Sequence, residues 1–258
     1  MELWNGLAAR DSQNYNMSSG EYVELVMNGE YCGLYLLQRR VDRKYLSLTD
    51  EDILLKGQPV WETTTVEEAY EIISSPLSEE ETYGLMENIW ACKKGFTVDI
   101  DNFIDVSLFI QMGSLTDNTS IKNMFYLLHK TESGYDLYLI PWDTDLAFGT
   151  TWTDDFVHEY DLNLEIPLYR REYVAVNEAY PELKEKMSAR WAELRAGTLT
   201  QENLESISCR LEEVLVQSGA LDRDRQRWGQ MYEGKDTFTT LRSYAQDRMT
   251  WLDEYYQK

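Results

Sequence analysis

Four oxygen-bearing side chains near the middle of the chain have the chemistry of a cation site: Asp117, Asn123, Asp143 and Asp145. Carboxylate and amide oxygens are hard ligands, the kind that Mg²⁺ prefers. Carboxylates that converge repel one another unless a cation lies between them. The same residue types also fit a plainer alternative, in which Asp117 and Asn118 shape a turn, Asp143 caps a helix and no ion binds.

A β-hairpin would bring these four side chains together. Two β-type runs, Met124–His129 and Tyr135–Ile140, flank the turn-prone residues Thr131–Gly134. Two of the four side chains precede the first run, and the other two follow the second. Because a hairpin places its outer ends side by side, we expect all four at one end of it.

A second hairpin is predicted near the N-terminus, over Glu21–Arg40, where an Asn-Gly pair forms the turn. Gly29 and Gly33 mark either places where a backbone or a ligand comes close, or simply the turn and a bulge. A short strand follows, Asp52–Gly57. Its Lys56 could reach a phosphate as a point charge or point into solvent.

Helical periodicity accounts for most of the remaining chain. The predicted helices are Val66–Ser74, Ser78–Lys93, one that Asp101 or Asp99 opens and that runs through Met112, Pro181–Ala196, Gln201–Ser218, Asp222–Tyr232 and Thr237–Tyr256. The charge-mixed run Arg223–Arg227 reads as a solvated helix face. Strands first and helices last predict an α+β fold with two lobes, a β-hairpin-rich part over residues 1–95 and a mostly helical part over 96–258. The cleft at their junction is the expected site.

Composition limits the classes of partner. The 258 residues carry a formal net charge of −22, from 24 basic and 46 acidic side chains. This charge repels polyanions, so we expect neither nucleic acid nor an anionic membrane surface as a partner. A small anion can still bind together with a divalent cation, as Mg-nucleotide does. Three widely spaced cysteines and two histidines predict neither a disulfide framework nor a zinc cluster.

Targeting signals are weak in this sequence. No apolar run approaches the roughly 20 residues of a membrane span, so none is expected. The first residues, MELWNGLAARD, lack the charged-then-apolar layout of a signal peptide. This argues against secretion only if Met1 is the natural start.

Two segments resemble the CotH-type spore-coat kinase family. NGEYCGLYLLQRRVD (Asn28–Asp42) is similar to that family's Asn-Gly-Glu-Tyr-x-Gly-x-Tyr-x-Leu run. TDNTSIKN paired with IPWDTDLAFG is similar to its Asp-loop and its Pro-Trp-Asp-x-Asp block. The resemblance spans residues 20–255 in layout. It implies an atypical protein-kinase-like fold that binds Mg²⁺ and ATP and phosphorylates Ser or Thr hydroxyls on spore-coat or extracellular proteins.

The resemblance also implies roles for individual residues. Asp117 would be the catalytic-loop aspartate near the accepting hydroxyl, and Asn123 the loop asparagine on a metal. Asp143 would be the metal aspartate, with Asp145 as the family's second aspartate beside it. Lys56 would contact phosphate, and the two glycines of the N-terminal hairpin would border the nucleotide.

Two departures from the family pattern keep other functions open. Gln38 stands where the family usually has glutamate, and only about 20 residues precede the first motif strand. The alternative is a pseudokinase or a non-enzymatic coat or surface binding module of the same fold. A third possibility is a carboxylate-based hydrolase, either a glycosidase or a two-metal phosphodiesterase, since Asp143 and Asp145 share one strand end.

Overall fold

The computed structural model has an α+β architecture, with strands between residues 20 and 141 and helices predominating after residue 176. It describes residues 1–9, 17, 19–59, 65–90, 96–153, 155–166, 168, 176–229 and 237–257. The strands are β1 (Gly20–Met27), β2 (Glu30–Gln38), β3 (Ile53–Gly57), β4 (Tyr70–Ser74), β5 (Phe96–Val98), β6 (Met124–Thr131) and β7 (Gly134–Pro141). The predicted fold class is confirmed.

The helices include four in the first half of the chain and four near the C-terminus. They are α1 (Glu2–Ala8), α2 (Val66–Ala69), α3 (Glu79–Trp90), α4 (Ile100–Gly113), α5 (Leu183–Ala196), α6 (Gln201–Glu212), α7 (Ala220–Trp228) and α8 (Thr237–Tyr256). Residues 176–179 are also helical, and a π-helical turn, Glu213–Gln217, follows α6. Among the described residues, no helix has the length and apolar character that crossing a membrane requires.

A five-stranded sheet in the order β4-β3-β6-β7-β5 forms the centre of the molecule. Strand β6 is antiparallel to β3 and β7, and β5 joins the far edge parallel to β7. The predicted hairpin over Met124–Ile140 is therefore the middle of this sheet. Strands β3 and β4 come from residues 1–95 and the other three from 96–258, and a lobe boundary near residue 95 stays a prediction.

Side chains alternate between the two faces of this sheet, as the period of a strand requires. One face joins the main core, which includes α4 and the C-terminal helices. The other face joins a smaller core beneath residues 41–48. The alternation is clearest on β6, where Tyr126 and Leu128 belong to the main core and Phe125 and Leu127 to the smaller one. Both faces of the sheet are thus buried.

Helix α4 is held against β7 by a reciprocal pair of hydrogen bonds. The Asn102 side chain donates to the Leu139 carbonyl at 3.0 Å and accepts from the Leu139 amide at 2.8 Å. Of the two predicted starts, Asp101 and Asp99, the structure has Asp99 as the N-cap, and its carboxylate accepts from the Asn102 amide. From Asn102 to Gly113 every residue of α4 is buried. The buried helix therefore fixes the start of the loop that carries Asp117.

One predicted helix is wrong over half its length. The sequence predicts a helix over Val66–Ser74, but α2 ends at Ala69 and Tyr70–Ser74 forms strand β4. Pairing with β3 and packing of the Tyr70 ring on the Tyr126 ring, 4.8 Å between centroids, outweigh the local helical pattern. Helix α3 begins as predicted at the Ser78 capping box, and its predicted end at Lys93 lies outside the described residues.

The hairpin of β1 and β2 forms a separate two-stranded sheet. Asn28 and Gly29 both have positive φ, 52° and 83°, as the two-residue turn requires. The register shifts by one residue where Leu25 pairs with Gly33 and Val26 pairs with Tyr31. This irregularity is the bulge that a glycine inside the strand allows.

Candidate active site

The loop after α4 carries Asp117 back towards the sheet. The helix ends at Ser114, which adopts the left-handed conformation with φ of 49°, and a 3₁₀ turn over Thr116–Asn118 follows. Asp117 is buried. Its Oδ2 accepts a hydrogen bond of 2.7 Å from Nδ2 of Asn123, which sits just before β6. The predicted pair of Asp117 and Asn123 is thus in direct contact.

Asn118 ties the two loops of the site together. Its side chain is fully buried, and its Nδ2 donates to the carbonyls of Asn123 at 2.9 Å and Trp142 at 2.8 Å. The Trp142 amide also donates to the Asn123 carbonyl at 3.0 Å. The sequence suggested only a turn-shaping role for Asn118, whereas the structure shows a cross-link between the two outer ends of the hairpin.

Asp143 lies in a strongly acidic environment. Asp143 is exposed at the surface, but partial desolvation of its carboxyl raises the pKa most, and the charges of Asp145 and Asp117 raise that pKa further. Lys56 and Lys122 act in the opposite direction. Asp143 also has a φ of 52°, and no helix begins at residues 143–145 of the described structure, so the alternative of a helix cap at Asp143 is wrong. These interactions show that the fold brings Asp117, Asp143, Asp145 and Lys56 into one electrostatic neighbourhood.

Lys122 is a residue of this site that the sequence interpretation did not single out. Its ammonium forms an ion pair with Oδ1 of Asp117 and lies 4.8 Å from the centroid of the Trp152 ring. The available signal was a lysine directly before Asn123, inside an otherwise acidic and polar loop. Periodicity cannot indicate where a loop side chain points.

Lys56 reaches the site because the end of β3 touches the loop before β6. A Cβ added to Gly57 would lie 1.8 Å from the Ile121 carbonyl oxygen, so the two backbones are in contact. Lys56 itself pairs in register with Phe125 of β6. The predicted position of Lys56 at a strand end beside the acidic group is therefore present.

Gly29 and Gly33 belong to the other sheet and lie in a different environment. A Cβ on Gly33 would be 2.7 Å from the Trp228 ring nitrogen and 3.0 Å from Asp224 Oδ1, both on α7. The Leu34 amide donates to the same Asp224 oxygen at 2.6 Å. The close approach expected at Gly33 exists, but its partner in this structure is α7. A nucleotide contact by either glycine stays a prediction.

The donor set suits Mg²⁺ chemically. In the described part of the chain, no three His, Cys, Asp or Glu side chains are grouped as a ready-made metal site. Mg²⁺ does not require one, because it is commonly held by one or two carboxylates together with waters and substrate phosphates. Asn123 and Asp143 offer such oxygens, and Asp145 is close enough to raise the pKa of Asp143. A cation would relieve the repulsion among these carboxylates.

The mixed sheet, the helical C-terminal part and the acidic loop pair are features of a kinase-like protein. The family model described as CotH kinase protein matches residues 1–252, nearly the whole chain. The chain therefore belongs to the CotH kinase family, as the two motif segments indicated. A comparison with curated proteins gives no match.

Proposed function

We propose that this protein is a Mg²⁺-dependent protein kinase that transfers the γ-phosphoryl group of ATP to Ser or Thr hydroxyls of coat or extracellular proteins. The observation that supports it most is the Asp117 carboxylate, held by Asn123 and within electrostatic reach of Asp143. Membership of the CotH kinase family supports the same reaction class. A carboxylate-based hydrolase is less well supported, because the site also contains Asn123 and two lysines, Lys56 and Lys122.

Each residue has a role that phosphoryl transfer requires. Asp117 orients the acceptor hydroxyl and takes its proton while the oxygen–phosphorus bond forms and the bond from the γ-phosphorus to the ADP oxygen breaks. Asn123, Asp143 and Asp145 would hold Mg²⁺, which offsets negative charge on the phosphate oxygens when it is bound. Lys56 would contact phosphate as a point charge.

The test is phosphate transfer from ATP by the whole chain and by two single variants. Asp117→Asn and Asp143→Asn should each reduce transfer by about 100-fold or more, since a general base or a metal ligand is lost. Glu132→Gln is the matched control, because it removes one negative charge in the turn at the opposite end of the same hairpin. It should leave transfer unchanged.

Two results would contradict this proposal. One is absence of Mg-ATP binding by the unaltered protein in a calorimetric titration. The other is transfer that survives both aspartate substitutions, which would move the reaction to another site.

A non-enzymatic binding module is the second candidate, and the N-terminal hairpin favours it. Leu37, Val26 and Met27 are 64%, 59% and 57% exposed, an unusual apolar surface for one hairpin. Gln38, which replaces the family glutamate, donates to the Met1 sulfur at 3.0 Å. A melting experiment separates the two candidates, because Mg-ATP should raise the melting temperature of a kinase and leave that of a pure binding module unchanged.

A further inference from the structure

The Lys122 ammonium contacts the Asp117 oxygen that the proposed reaction needs as its base. Oδ2 of Asp117 is taken by the Asn123 amide, and Oδ1 is in ion-pair contact with the Lys122 ammonium. Within the described structure Oδ1 is buried and has no hydrogen-bond partner besides this ion pair. Oδ1 is therefore the Asp117 oxygen that can receive a proton from an acceptor hydroxyl. The Lys122 ammonium blocks it in this structure.

Trp152 provides the other side of this arrangement. The Lys122 ammonium lies 4.8 Å from the Trp152 ring centroid, within the range of a cation–π interaction. Trp152 is 58% exposed, whereas the side chains of Lys122 and Asp117 are only 19% and 11% exposed. Cation–π contacts at exposed rings are weak, so Trp152 holds the ammonium without fixing it there.

The electrostatics of the site favour movement of this ammonium towards an incoming phosphate. Lys122 is one of two lysines whose charge lowers the pKa of Asp143, so its field already reaches the proposed metal residue. An ammonium on a flexible four-carbon stem can exchange a carboxylate for a phosphate oxygen at little cost in geometry. A terminal phosphoryl group carries more negative charge than a single carboxylate and would compete for it.

We propose that Lys122 is a catalytic lysine that rests between Asp117 and Trp152 and moves to the γ-phosphoryl oxygens when Mg-ATP binds. The move frees Oδ1 of Asp117 for the acceptor hydroxyl, so the base becomes available only when a transferable phosphoryl group is present. Mg-ADP lacks that group and leaves the ion pair in place. This inference rests on the proposed function.

The decisive measurement compares the affinities of the protein for two nucleotides and does not depend on reaction rates. Dissociation constants are measured by calorimetry for Mg-ADP and for the Mg complex of the non-hydrolysable β,γ-imido analogue of ATP, with the whole chain. In Lys122→Met the affinity for the triphosphate analogue should fall by about tenfold or more, since a charge-assisted contact is lost. Affinity for Mg-ADP should stay within about twofold. Lys122→Arg should keep most of the preference for the triphosphate.

Lys130→Met is the matched control. Lys130 lies on β6, the strand that follows the loop of Lys122, and its ammonium is 4.6 Å from the centroid of the Tyr135 ring, so it also forms a lysine–aromatic pair. The substitution removes one positive charge, as Lys122→Met does, but at the far end of the hairpin from the site. It should change neither affinity. Melting curves of all variants show whether each one is folded before the titrations are compared.

Trp152→Ala tests the resting position. Loss of the ring should tighten binding of the triphosphate analogue by about two- to fivefold, because the Lys122 ammonium then gives up the Asp117 contact but no cation–π contact when it moves. Affinity for Mg-ADP should not change. Equal weakening of both nucleotides would instead show that Trp152 contacts the nucleotide itself, which overturns this part of the inference.

The outcomes separate this inference from the proposed function. If Lys122→Met and Lys122→Arg keep the preference of the unaltered protein for the triphosphate, Lys122 does not contact the γ-phosphoryl group and the inference is wrong. The kinase proposal then still stands on Asp117 and Asp143. If the unaltered protein binds neither nucleotide, both fail together.

Discussion

At the scale of single residues, Asp143 combines two unfavourable features. Its backbone has a φ of 52°, which few non-glycine residues adopt, and its carboxylate faces Asp145 and Asp117. Strained conformations and shifted pKa values are both concentrated at functional sites. Both features cost stability in Asp143, as is common for residues at functional sites.

Asp143→Asn should therefore stabilise the ligand-free protein at pH 7. Asparagine tolerates the left-handed conformation and carries no charge to repel its neighbours. We expect a rise in melting temperature of about 1–2 °C, small because Asp143 is exposed and solvent screens its charge. Mg-ATP should then no longer stabilise this variant, whereas it should stabilise the unaltered protein.

The pH dependence of this gain follows from the direction of the pKa shift. The folded-state pKa of Asp143 is raised above its ordinary value of 3.8, so ionised Asp143 destabilises the fold above the raised pKa. The advantage of Asp143→Asn should be largest at neutral pH and should shrink as the pH falls towards 4. Melting curves at several pH values check this. An advantage that grows in acid would contradict the assignment.

Residue types predicted the acidic members of the site but not the side chains that organise it. Asp117, Asn123, Asp143 and Asp145 are identifiable because carboxylates and amides at hairpin ends have known chemistry. Asn118 contacts the Trp142 carbonyl, 24 positions away in sequence, and Lys122 contacts the Trp152 ring, which lies still further along the chain. No local pattern contains that information.

At the scale of elements, a backbone contact between β3 and the loop before β6 positions that loop. Gly57→Ala would place a methyl group 1.8 Å from the Ile121 carbonyl oxygen, and a backbone atom cannot rotate away as a side chain can. We expect a loss of about 3 kcal/mol or more in the free energy of unfolding. Phosphate transfer should fall as well, because the loop also carries Lys122 and Asn123.

Gly84→Ala is the matched control for Gly57→Ala. Gly84 lies inside α3, and an added Cβ would have no heavy atom within 4 Å. It should raise the free energy of unfolding by about 0.5–1 kcal/mol, as alanine does in a helix. Urea denaturation measures both variants, and similar effects of the two substitutions would contradict the proposed packing.

The N-terminal hairpin depends on α7 through a small number of specific contacts. Asp224 is 5% exposed and accepts from the Leu34 amide, and the Arg223 guanidinium makes two hydrogen bonds to Glu24 at 2.7 and 2.8 Å. The prediction of a solvated charge-mixed face at Arg223–Arg227 is therefore wrong at Asp224, which is buried, whereas Arg223 is exposed as predicted. Their partners are about 190 to 199 positions away in sequence, so the composition of the run could not reveal them.

Gly33→Ala should loosen this hairpin more than Gly29→Ala. Both glycines have positive φ, 127° and 83°, so both substitutions strain the backbone. Only at Gly33 would the new Cβ also collide with α7, whereas at Gly29 nothing lies within 4 Å. Hydrogen exchange of the amides in residues 20–38 should therefore increase more in Gly33→Ala. Equal increases in hydrogen exchange in the two variants would show that backbone strain alone, and not the collision with α7, loosens the hairpin.

At the scale of the whole molecule, the net charge of −22 imposes repulsion that salt can screen. Raising ionic strength from about 0.01 to 0.15 M shortens the Debye length from about 30 to 8 Å. We expect the melting temperature to rise by several degrees over this range. A fall would mean that ion pairs such as Arg223–Glu24 stabilise the fold more than the excess acid destabilises it.

A buried arginine in α8 connects the C-terminal helices with the site. Arg248 is fully buried and donates to the backbone carbonyls of Gln111, Asp161, Leu162 and Leu164. Burial lowers its pKa to about 10, which still leaves it charged at neutral pH. The end of α4, and with it the loop of Asp117, is thus held from the last helix of the chain.

The sequence by itself determined the α+β class, the two hairpins and the start of α3, and it supplied the acidic candidates for the site. These features follow from turn chemistry, capping and strand periodicity, which act over a few residues and therefore leave local patterns. The tertiary structure alone decided that Tyr70–Ser74 is a strand, that α7 supports the first hairpin and that Lys122 faces Asp117. Each of these depends on packing between segments distant in sequence or on where a loop side chain points, and the free energy of such contacts is absent from any short stretch of residues.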